Sequence, residues 1–189
     1  MNIHQFFTLS LGCWRSQRSG HDPVSRKFDE IYSTANITLL DAENPEALEL
    51  CEQYDIDPSQ TLSPLCVDWH NESRATVTED RFGRYIVVPV PDPYNINEGY
   101  LLRSPGFPET LASESRYELG EDGTFVETVH YRYACGEKRI WFATPNLRLK
   151  VSIMRANDGN GLATPSFSSE VRDPTAVPSR FFDRSAIAV

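Results

Sequence analysis

The sequence predicts an all-β protein, an up-and-down antiparallel β-barrel of about ten strands. Segments rich in β-branched and aromatic residues, several of them alternating apolar with polar side chains, recur between turn-forming residues. Each segment is joined to its neighbour in sequence, so the strands form a meander. Only one segment has a convincing helical pattern, which is too little for a βαβ fold. A sheet of nine or ten strands usually curls, and closing it removes its unpaired edges.

The strand segments can be placed along the chain. Residues 11–19 and 28–40 are predicted to form the first two strands. Residues 65–70 and 74–78 are predicted to pair as a hairpin, and Gly-Glu-Asp-Gly at residues 120–123 forms the turn of another. A closed meander of this size is typical of the calycins, which include the lipocalins and fatty-acid-binding proteins. Such a barrel is wide enough to hold one small ligand.

Helical signals are confined to two short segments. Residues 1–9 are predicted to form a helical turn whose apolar side plugs the structure. The one short α-helix that the pattern supports well begins at Asn44, a good N-cap, with Pro45 in the first helical position. Its apolar residues recur at positions i, i+3, i+4 and i+7. They are Ala47, Leu50, Cys51 and Tyr54.

Residues 137–153 have the most informative pattern. Thr-Pro-Asn at residues 144–146 interrupts them, and because proline cannot donate to a central ladder we expect a bulge, a strand edge or a corner there. Beyond this break, one face of the predicted strand is apolar and the other is basic. The apolar face carries Leu147, Leu149, Val151 and Ile153, and the basic face carries Arg148, Lys150 and Ser152. The basic face either contacts water, which is the commoner case for a single strand, or points into a polar cavity.

Length and composition predict one globular domain over residues 1–172 and a flexible tail over residues 173–189. The formal charge of −9 argues against binding to nucleic acid or to an anionic membrane, because those partners require clustered Lys and Arg. No apolar run has the length of a membrane helix and no secretory signal is visible, so we predict a cytoplasmic protein. The cysteines are scattered without metal-ligand spacing and are expected to be reduced, with no metal site.

Four blocks, in order along the chain, resemble the S-type (CpcS/CpeS) phycobiliprotein lyases. They are W-R-S-Q-R-S at residues 14–19, V-P-V-P-D-P at 88–93, R-I-W-F-A-T-P-N-L-R-L at 139–149 and F-S-S-E-V-R at 167–172. The resemblance extends from about residue 6 to residue 172. It implies a fatty-acid-binding-protein-like barrel that binds an open-chain tetrapyrrole (a bilin) without a covalent bond. It also implies that the protein attaches this pigment, through a thioether, to a cysteine of an apo-phycobiliprotein subunit.

The resemblance further implies substrates, partners and a compartment. Phycocyanobilin or phycoerythrobilin would be a transiently bound substrate, and no permanent cofactor is implied. The acceptors would be apo-subunits of phycocyanin, phycoerythrin or allophycocyanin, in the cyanobacterial cytoplasm or the plastid stroma. A related lyase subunit, or a second copy in a homodimer, is a further partner that the family suggests.

The chemistry of a bilin selects the candidate site residues. Its two propionates require guanidinium or ammonium groups, its protonated ring nitrogens require a carboxylate, and its conjugated face requires aromatic rings. We therefore predict bilin binding by Arg18, Arg148 and Lys150 at the propionates, by Trp14, Trp69 and Trp141 at the conjugated face, and by Glu137 and Arg139 nearby. We predict Glu170 as the catalytic carboxylate that keeps the pyrrole system protonated.

Each assignment has a structural alternative. Trp14 and Trp141 also suit the core, Arg18 and Arg148 suit structural ion pairs, Glu170 suits a pair with Arg172, and Glu137 with Arg139 suits a rim ion pair. Lys150 stands where the family has an arginine, and the chain also departs from the family at Cys13 and at Gly-His-Asp of residues 20–22. A bilin carrier without lyase activity, a fatty-acid carrier and a non-catalytic subunit of a heteromeric lyase are therefore competing functions.

Overall fold

The computed structural model describes residues 1–23, 25–72, 82–106, 113–156 and 164–175. The strands are β1 (Gly12–Asp22), β2 (Lys27–Leu39), β3 (Leu65–Asn71), β4 (Phe82–Pro91), β5 (Glu98–Arg103), β6 (Ser113–Leu119), β7 (Phe125–His130), β8 (Ala134–Thr144), β9 (Leu147–Ala156) and β10 (Thr164–Arg172). The helices are α1 (Ile3–Ser10), α2 (Pro45–Gln53) and a short 3-10 helix, Pro58–Gln60.

The ten strands form one closed antiparallel barrel. Each strand pairs with its neighbours in sequence, and β1 pairs with β10 to close the sheet. The predicted up-and-down barrel is therefore confirmed. The strand predicted at residues 74–78 lies outside the described residues, as does the predicted tail from residue 176 onward. The predicted hairpin of residues 65–70 with 74–78 is wrong, because β3 pairs with β2 on one side and with β4 on the other.

Helix α1 closes one end of the barrel. Asn2 caps it, because its side chain accepts a hydrogen bond from the N–H of Gln5 while the Gln5 side chain accepts one from the N–H of Asn2. Ile3 and Phe6 are buried, and the Phe6 ring stacks on Phe125 with ring centroids 4.5 Å apart. The plug predicted from the first nine residues is present.

Helix α2 packs on the outside of the barrel. Asn44 caps it through a hydrogen bond from the N–H of Ala47, and Pro45 is its first residue, as predicted. Its apolar stripe covers β4 and β5. The buried residues of this contact are Ala47, Leu50, Cys51, Ile86, Val88, Val90 and Leu102. The described residues thus contain two short α-helices, one more than the single well-supported helix of the prediction, because the N-terminal turn extends to a full helix.

Strands β8 and β9 are joined by a turn at residues 145–146, the corner that the proline predicted, with a β-bulge just before it. Arg148 is 3% exposed and faces the lumen, whereas the alternate residues from Leu147 to Ile153 lie on the outside. The basic face of β9 therefore points into the barrel. The commoner arrangement, with the basic face toward water, does not apply here.

Candidate functional site

The barrel interior has two halves of different chemistry. Side chains of a strand point alternately into the lumen and away from it, and the strand register carries this assignment around the sheet from the buried Trp14. Around α1 the inward side chains are mostly large and apolar. Toward the opposite end, which we call the far end, charged side chains enter the lumen. They include Arg18, Asp29, Arg103, Glu127, Lys138, Arg148, Lys150 and Glu170.

Arg148, Glu170 and Lys150 form a buried ion cluster. Arg148 of β9 lies opposite Glu170 of β10, and Lys150 occupies the next inward position of β9. Glu170 accepts a hydrogen bond from Arg148 Nε and pairs with Lys150 Nζ at 2.5 Å. Arg148 and Glu170 are each 3% exposed, whereas the Lys150 side chain keeps 24% of its surface exposed. Lys150 is thus the member of this cluster that is most open to a ligand.

Trp14 supports this cluster from the core. The guanidinium groups of Arg148 and Arg172 each lie over its indole, 4.3 Å from the ring centroid, and its Nε1 donates to the carbonyl of Ser10 at 2.9 Å. Trp14 has no exposed surface and lies in the core, which was the structural alternative to contact with the pigment. Arg172 donates to the backbone carbonyls of Leu9 and Leu11 at the C-terminal end of α1, and among the described residues it does not form the alternative pair with Glu170.

Burial and mutual charge set the protonation states of this cluster. Burial by itself raises the pKa of Glu170, but the positive charges of Lys150 and Arg148 outweigh it and lower that pKa to about 2. Burial lowers the pKa of Lys150 to about 8, although Glu170 opposes this shift. Near neutral pH, Glu170 is therefore an ionised acceptor of hydrogen bonds and not a proton donor.

A second cluster with the same composition lies on β5, β6, β7 and β8. Glu127 pairs with Arg103 at 2.7 Å and with Lys138 at 2.9 Å, and it accepts a hydrogen bond from the Ser115 hydroxyl at 2.9 Å. Burial alone raises the pKa of Glu127, but Lys138 and Arg103 outweigh it and lower that pKa to about 2. The sequence prediction missed these residues. The available signal was the alternation of β7, which puts Glu127 on the same face as the core residue Phe125.

Arg18 and Trp69 lie closer to the far end. Arg18 faces inward, as its spacing from Trp14 predicted, and pairs with Asp29 at 3.1 Å, with 44% and 52% of the two side chains exposed. The Trp69 indole covers Gly83 of β4, where a Cβ atom would approach the ring to 2.3 Å. Glycine at position 83 is therefore required to leave room for the indole.

Trp141, Glu137 and Arg139 occupy the outward positions of β8. Arg139 Nε pairs with Glu137 Oε1 at 2.8 Å, so the two form the ion pair described as an alternative, on the outer face of β8 and not at the rim. With Val151 and Ile153, these residues help to line a surface groove of about 800 Å³. The structure thus divides the nine predicted site residues between the lumen and the outer surface. Contact of the three outward residues with a bilin stays a prediction.

The fold and its interior define a class, that of the calycin-like β-barrels with a cationic cluster in the lumen. Within that class the assignment can be narrowed, because a family profile described as CpeS-like protein matches residues 2–173. The chain belongs to this family, which confirms the family resemblance of the four sequence blocks.

Individual relatives cover nearly the whole chain. The chromophore lyase CpcS/CpeS 3 of Trichodesmium erythraeum (strain IMS101) is 42% identical over 172 residues, which is 91% of this chain and 99% of the relative. A putative phycoerythrobilin lyase CpeS of Microchaete diplosiphon is 37% identical and covers 83% of this chain, with 71% of its own length matched. The solved structure of the S-type phycobiliprotein lyase CPES from Guillardia theta matches with a TM-score of 0.79 at 35% identity, over 93% of this chain and 95% of that one.

In the part of the chain that the structure describes, no helix has the length and apolarity to cross a membrane.

Proposed function

We propose that this protein is a bilin lyase for phycobiliproteins. It binds phycocyanobilin or phycoerythrobilin in the lumen without a covalent bond and attaches the pigment to a cysteine of an apo-subunit of phycocyanin, phycoerythrin or allophycocyanin. The bilin is a substrate and not a resident cofactor. The names of the relatives, chromophore lyase and phycoerythrobilin lyase, support this class of reaction. The reaction takes place where apo-subunits are made, in the cyanobacterial cytoplasm or the plastid stroma.

The observation that carries the proposal is the buried cluster of Arg148, Lys150 and Glu170. Two cations share one carboxylate, so the cluster has a net charge of about +1 at neutral pH. An uncompensated buried charge is unfavourable, and a bound anion would neutralise it. A bilin propionate has the required charge, and a guanidinium matches a carboxylate with two parallel hydrogen bonds.

The reaction is the addition of a thiol across a double bond. The acceptor thiolate forms a sulfur–carbon bond at the ethylidene carbon of the bilin A-ring, the exocyclic double bond is consumed, and the ring takes up one proton. No oxidant or reductant is needed. Arg148 and Lys150 hold the propionate side, and the ionised Glu170 accepts hydrogen bonds from pyrrole N–H groups, which stabilises the protonated pigment and makes the ethylidene carbon more electrophilic.

Orientation supplies most of the expected rate enhancement. The thiol and the bilin already react slowly without a protein, so the barrel needs to hold the pigment extended, exclude other nucleophiles and present the A-ring to the acceptor. Release of the product then requires only that the propionates leave their cations. No covalent intermediate between this chain and the pigment is part of the proposal.

The test is a reconstitution with purified components. The protein is mixed with each bilin, an apo-subunit is added, and the acceptor is examined for colour that survives denaturation. Arg148→Ala is expected to weaken bilin binding by about tenfold or more, because a charge-assisted hydrogen bond contributes about 1.5–3 kcal/mol. The matched control is Arg116→Ala, which removes an arginine whose side chain is 64% exposed on the outside of β6.

Three outcomes would assign a different function. Bilin binding with acceptors that stay uncoloured would identify a carrier. Colour that forms only after a related subunit is added would identify a member of a heteromeric lyase. Glu170→Gln with unchanged affinity for bilin and for a long-chain fatty acid would favour a general carrier of amphipathic anions, since a fatty acid has no pyrrole N–H groups.

A further inference from the structure

The second lumen cluster has no part in the function proposed above, although it repeats the composition of the first. In both clusters one buried glutamate pairs with one arginine and one lysine from other strands. Glu127 pairs with Arg103 and Lys138, as Glu170 pairs with Arg148 and Lys150.

Resting on the proposed function, we propose that the cluster of Arg103, Glu127 and Lys138 is a second carboxylate-binding site. The pigment's two propionates would then be bound separately, one at each cluster, so that the lumen recognises a dicarboxylate. The pair of sites would also fix the orientation of the pigment along the barrel.

The charges of the second cluster support this role. Glu127 is ionised near neutral pH, because Lys138 and Arg103 outweigh the effect of burial and hold its pKa at about 2. The three side chains together carry two positive charges and one negative charge. The Lys138 side chain keeps 34% of its surface exposed and that of Arg103 keeps 17%, whereas Glu127 keeps 8%. The cations are therefore the members of the cluster that a ligand can reach.

The two clusters are close neighbours in the lumen. On β8 and β9, Ile140 pairs with Lys150 and Lys138 pairs with Ser152, so the two lysines are diagonal neighbours across adjacent strands. Such positions have Cα atoms roughly 7–8 Å apart. The charge of Lys138 also contributes to lowering the pKa of Lys150, as expected for two cations at short range.

The spacing of the clusters suits the chemistry of a bilin. Its two propionates are attached to the two central rings, on either side of the middle bridging carbon, so they leave the pigment close together and in similar directions. Two adjacent sites, each with an arginine and a lysine, match this pair of anions. A fatty acid has one carboxylate and would occupy only one of them.

The cluster has an alternative role, that of ion pairs that hold β5, β7 and β8 together. This role predicts that substitutions change stability but do not distinguish pigments by their carboxylates. Binding of propionates predicts that substitutions weaken the binding of pigments with free carboxylates and leave the binding of their esters unchanged. The number of free carboxylates on the pigment is therefore the variable that separates the two roles.

The experiment is a cycle of protein and pigment changes. Affinities of the wild-type protein, Lys138→Met and Lys150→Met are measured for phycocyanobilin with two free propionates, for its dimethyl ester and for its two monomethyl esters. Circular dichroism and urea unfolding confirm that each variant is folded. Lys138→Arg, which keeps the charge, serves as the rescue variant, and Arg116→Met removes a cation from the outer surface.

We expect Lys138→Met to weaken binding of the free diacid about tenfold and to leave binding of the diester unchanged. Each lysine substitution should lose its effect with one of the two monoesters, and with a different one for each lysine. Lys138→Arg should bind like the wild type.

Two results would overturn the second site. One is that Lys138→Met does not change affinity for the diacid while Lys150→Met does. The other is that Lys138→Met weakens diacid and diester equally. Either result leaves the proposed lyase function intact, whereas a wild-type protein that binds no bilin would exclude both proposals.

Discussion

The two ends of the barrel interior differ in chemistry, although one closed sheet forms both. At the α1 end the inward side chains pack into a continuous apolar core. Its buried members are Ile3, Phe6, Trp14, Ile37, Leu65, Val67, Val87, Leu101, Tyr117, Leu119 and Phe125. Toward the far end, the same strands carry charges and small polar residues at the equivalent inward positions. Strand alternation is identical at both ends, so the difference lies only in the side chains that alternation directs inward.

The comparison shows where stability and binding are concentrated. The apolar end removes large side chains from water, which is the main source of folding free energy. The charged end gains less from burial because each charged group must be compensated by a partner. Changes in the first region should therefore act on folding, and changes in the second should act on ligand binding and on the dependence of stability on pH.

The largest effect is expected from Phe6→Ala at the apolar end. Phe6 is 3% exposed and contacts three other rings, those of Phe7, Phe125 and Phe142. Its truncation should lower the free energy of unfolding by about 3–5 kcal/mol, measured by urea denaturation. Tyr94→Ala, which removes a ring that is 97% exposed, is the control and should change stability little. A loss below about 1 kcal/mol for Phe6→Ala would contradict the assignment of the core to this end.

The stability of the protein should fall in acid because of the paired carboxylate of Glu127 in the second cluster. The pKa of Glu127 is lowered from 4.5 to about 2 in the folded protein, so between those values the unfolded chain binds more protons. Its contribution to stability is complete above about pH 4.5 and is lost as the pH falls toward 2, a change of about 3 kcal/mol. Glu127→Gln should be less stable than the wild type at pH 7, and urea denaturation should show the gap narrowing below pH 4.5.

Raising the pH should have opposite effects on folding stability and on bilin affinity through Lys150. Burial lowers its pKa from 10.5 to about 8, so between these values the unfolded chain binds more protons and stability rises with pH. Affinity for an anionic bilin should fall by about tenfold over the same range, because the ammonium loses its charge. Absorbance titrations from pH 7 to 10 measure the affinity.

A charge-conserving variant is the control for this pH dependence. Lys150→Arg should bind with little change up to pH 10, since arginine stays protonated. An equal loss of affinity in Lys150→Arg would assign the pH dependence to another group.

The smallest effect is expected from Arg18→Gln. The pair of Arg18 and Asp29 is about half exposed, and solvent screens such pairs, so stability should change by less than about 1 kcal/mol. Affinity for bilin should fall by only about twofold to fivefold, because Asp29 already neutralises the arginine. If pigment titrations show Arg18→Gln to be as damaging as Arg148→Ala, the principal anion site lies at Arg18 and not in the buried cluster of Arg148, Lys150 and Glu170.

Much of the fold was predictable because it is encoded locally. The cap at Asn44, the turn at residues 145–146 and the alternation of β9 each depend on residues close together in sequence. The inner candidates Arg148, Lys150 and Glu170 came from the family resemblance together with the charge of a bilin. The second cluster was missed because its members come from β5, β7 and β8, and Arg103 and Glu127 are 24 residues apart in sequence.

The sequence by itself determined most of the strands, their meander and the two chemically different faces of β9. It did not determine which face would enclose the lumen, since alternation defines two faces but not their direction. Only closure of the sheet decided this, by turning Arg148 and Lys150 inward and Glu137, Arg139 and Trp141 outward. The physical reason is that the inward face depends on all ten strands together. The apolar side of α1 has to pack on one continuous core, and the strand register then sets which alternate side chains of each strand point inward.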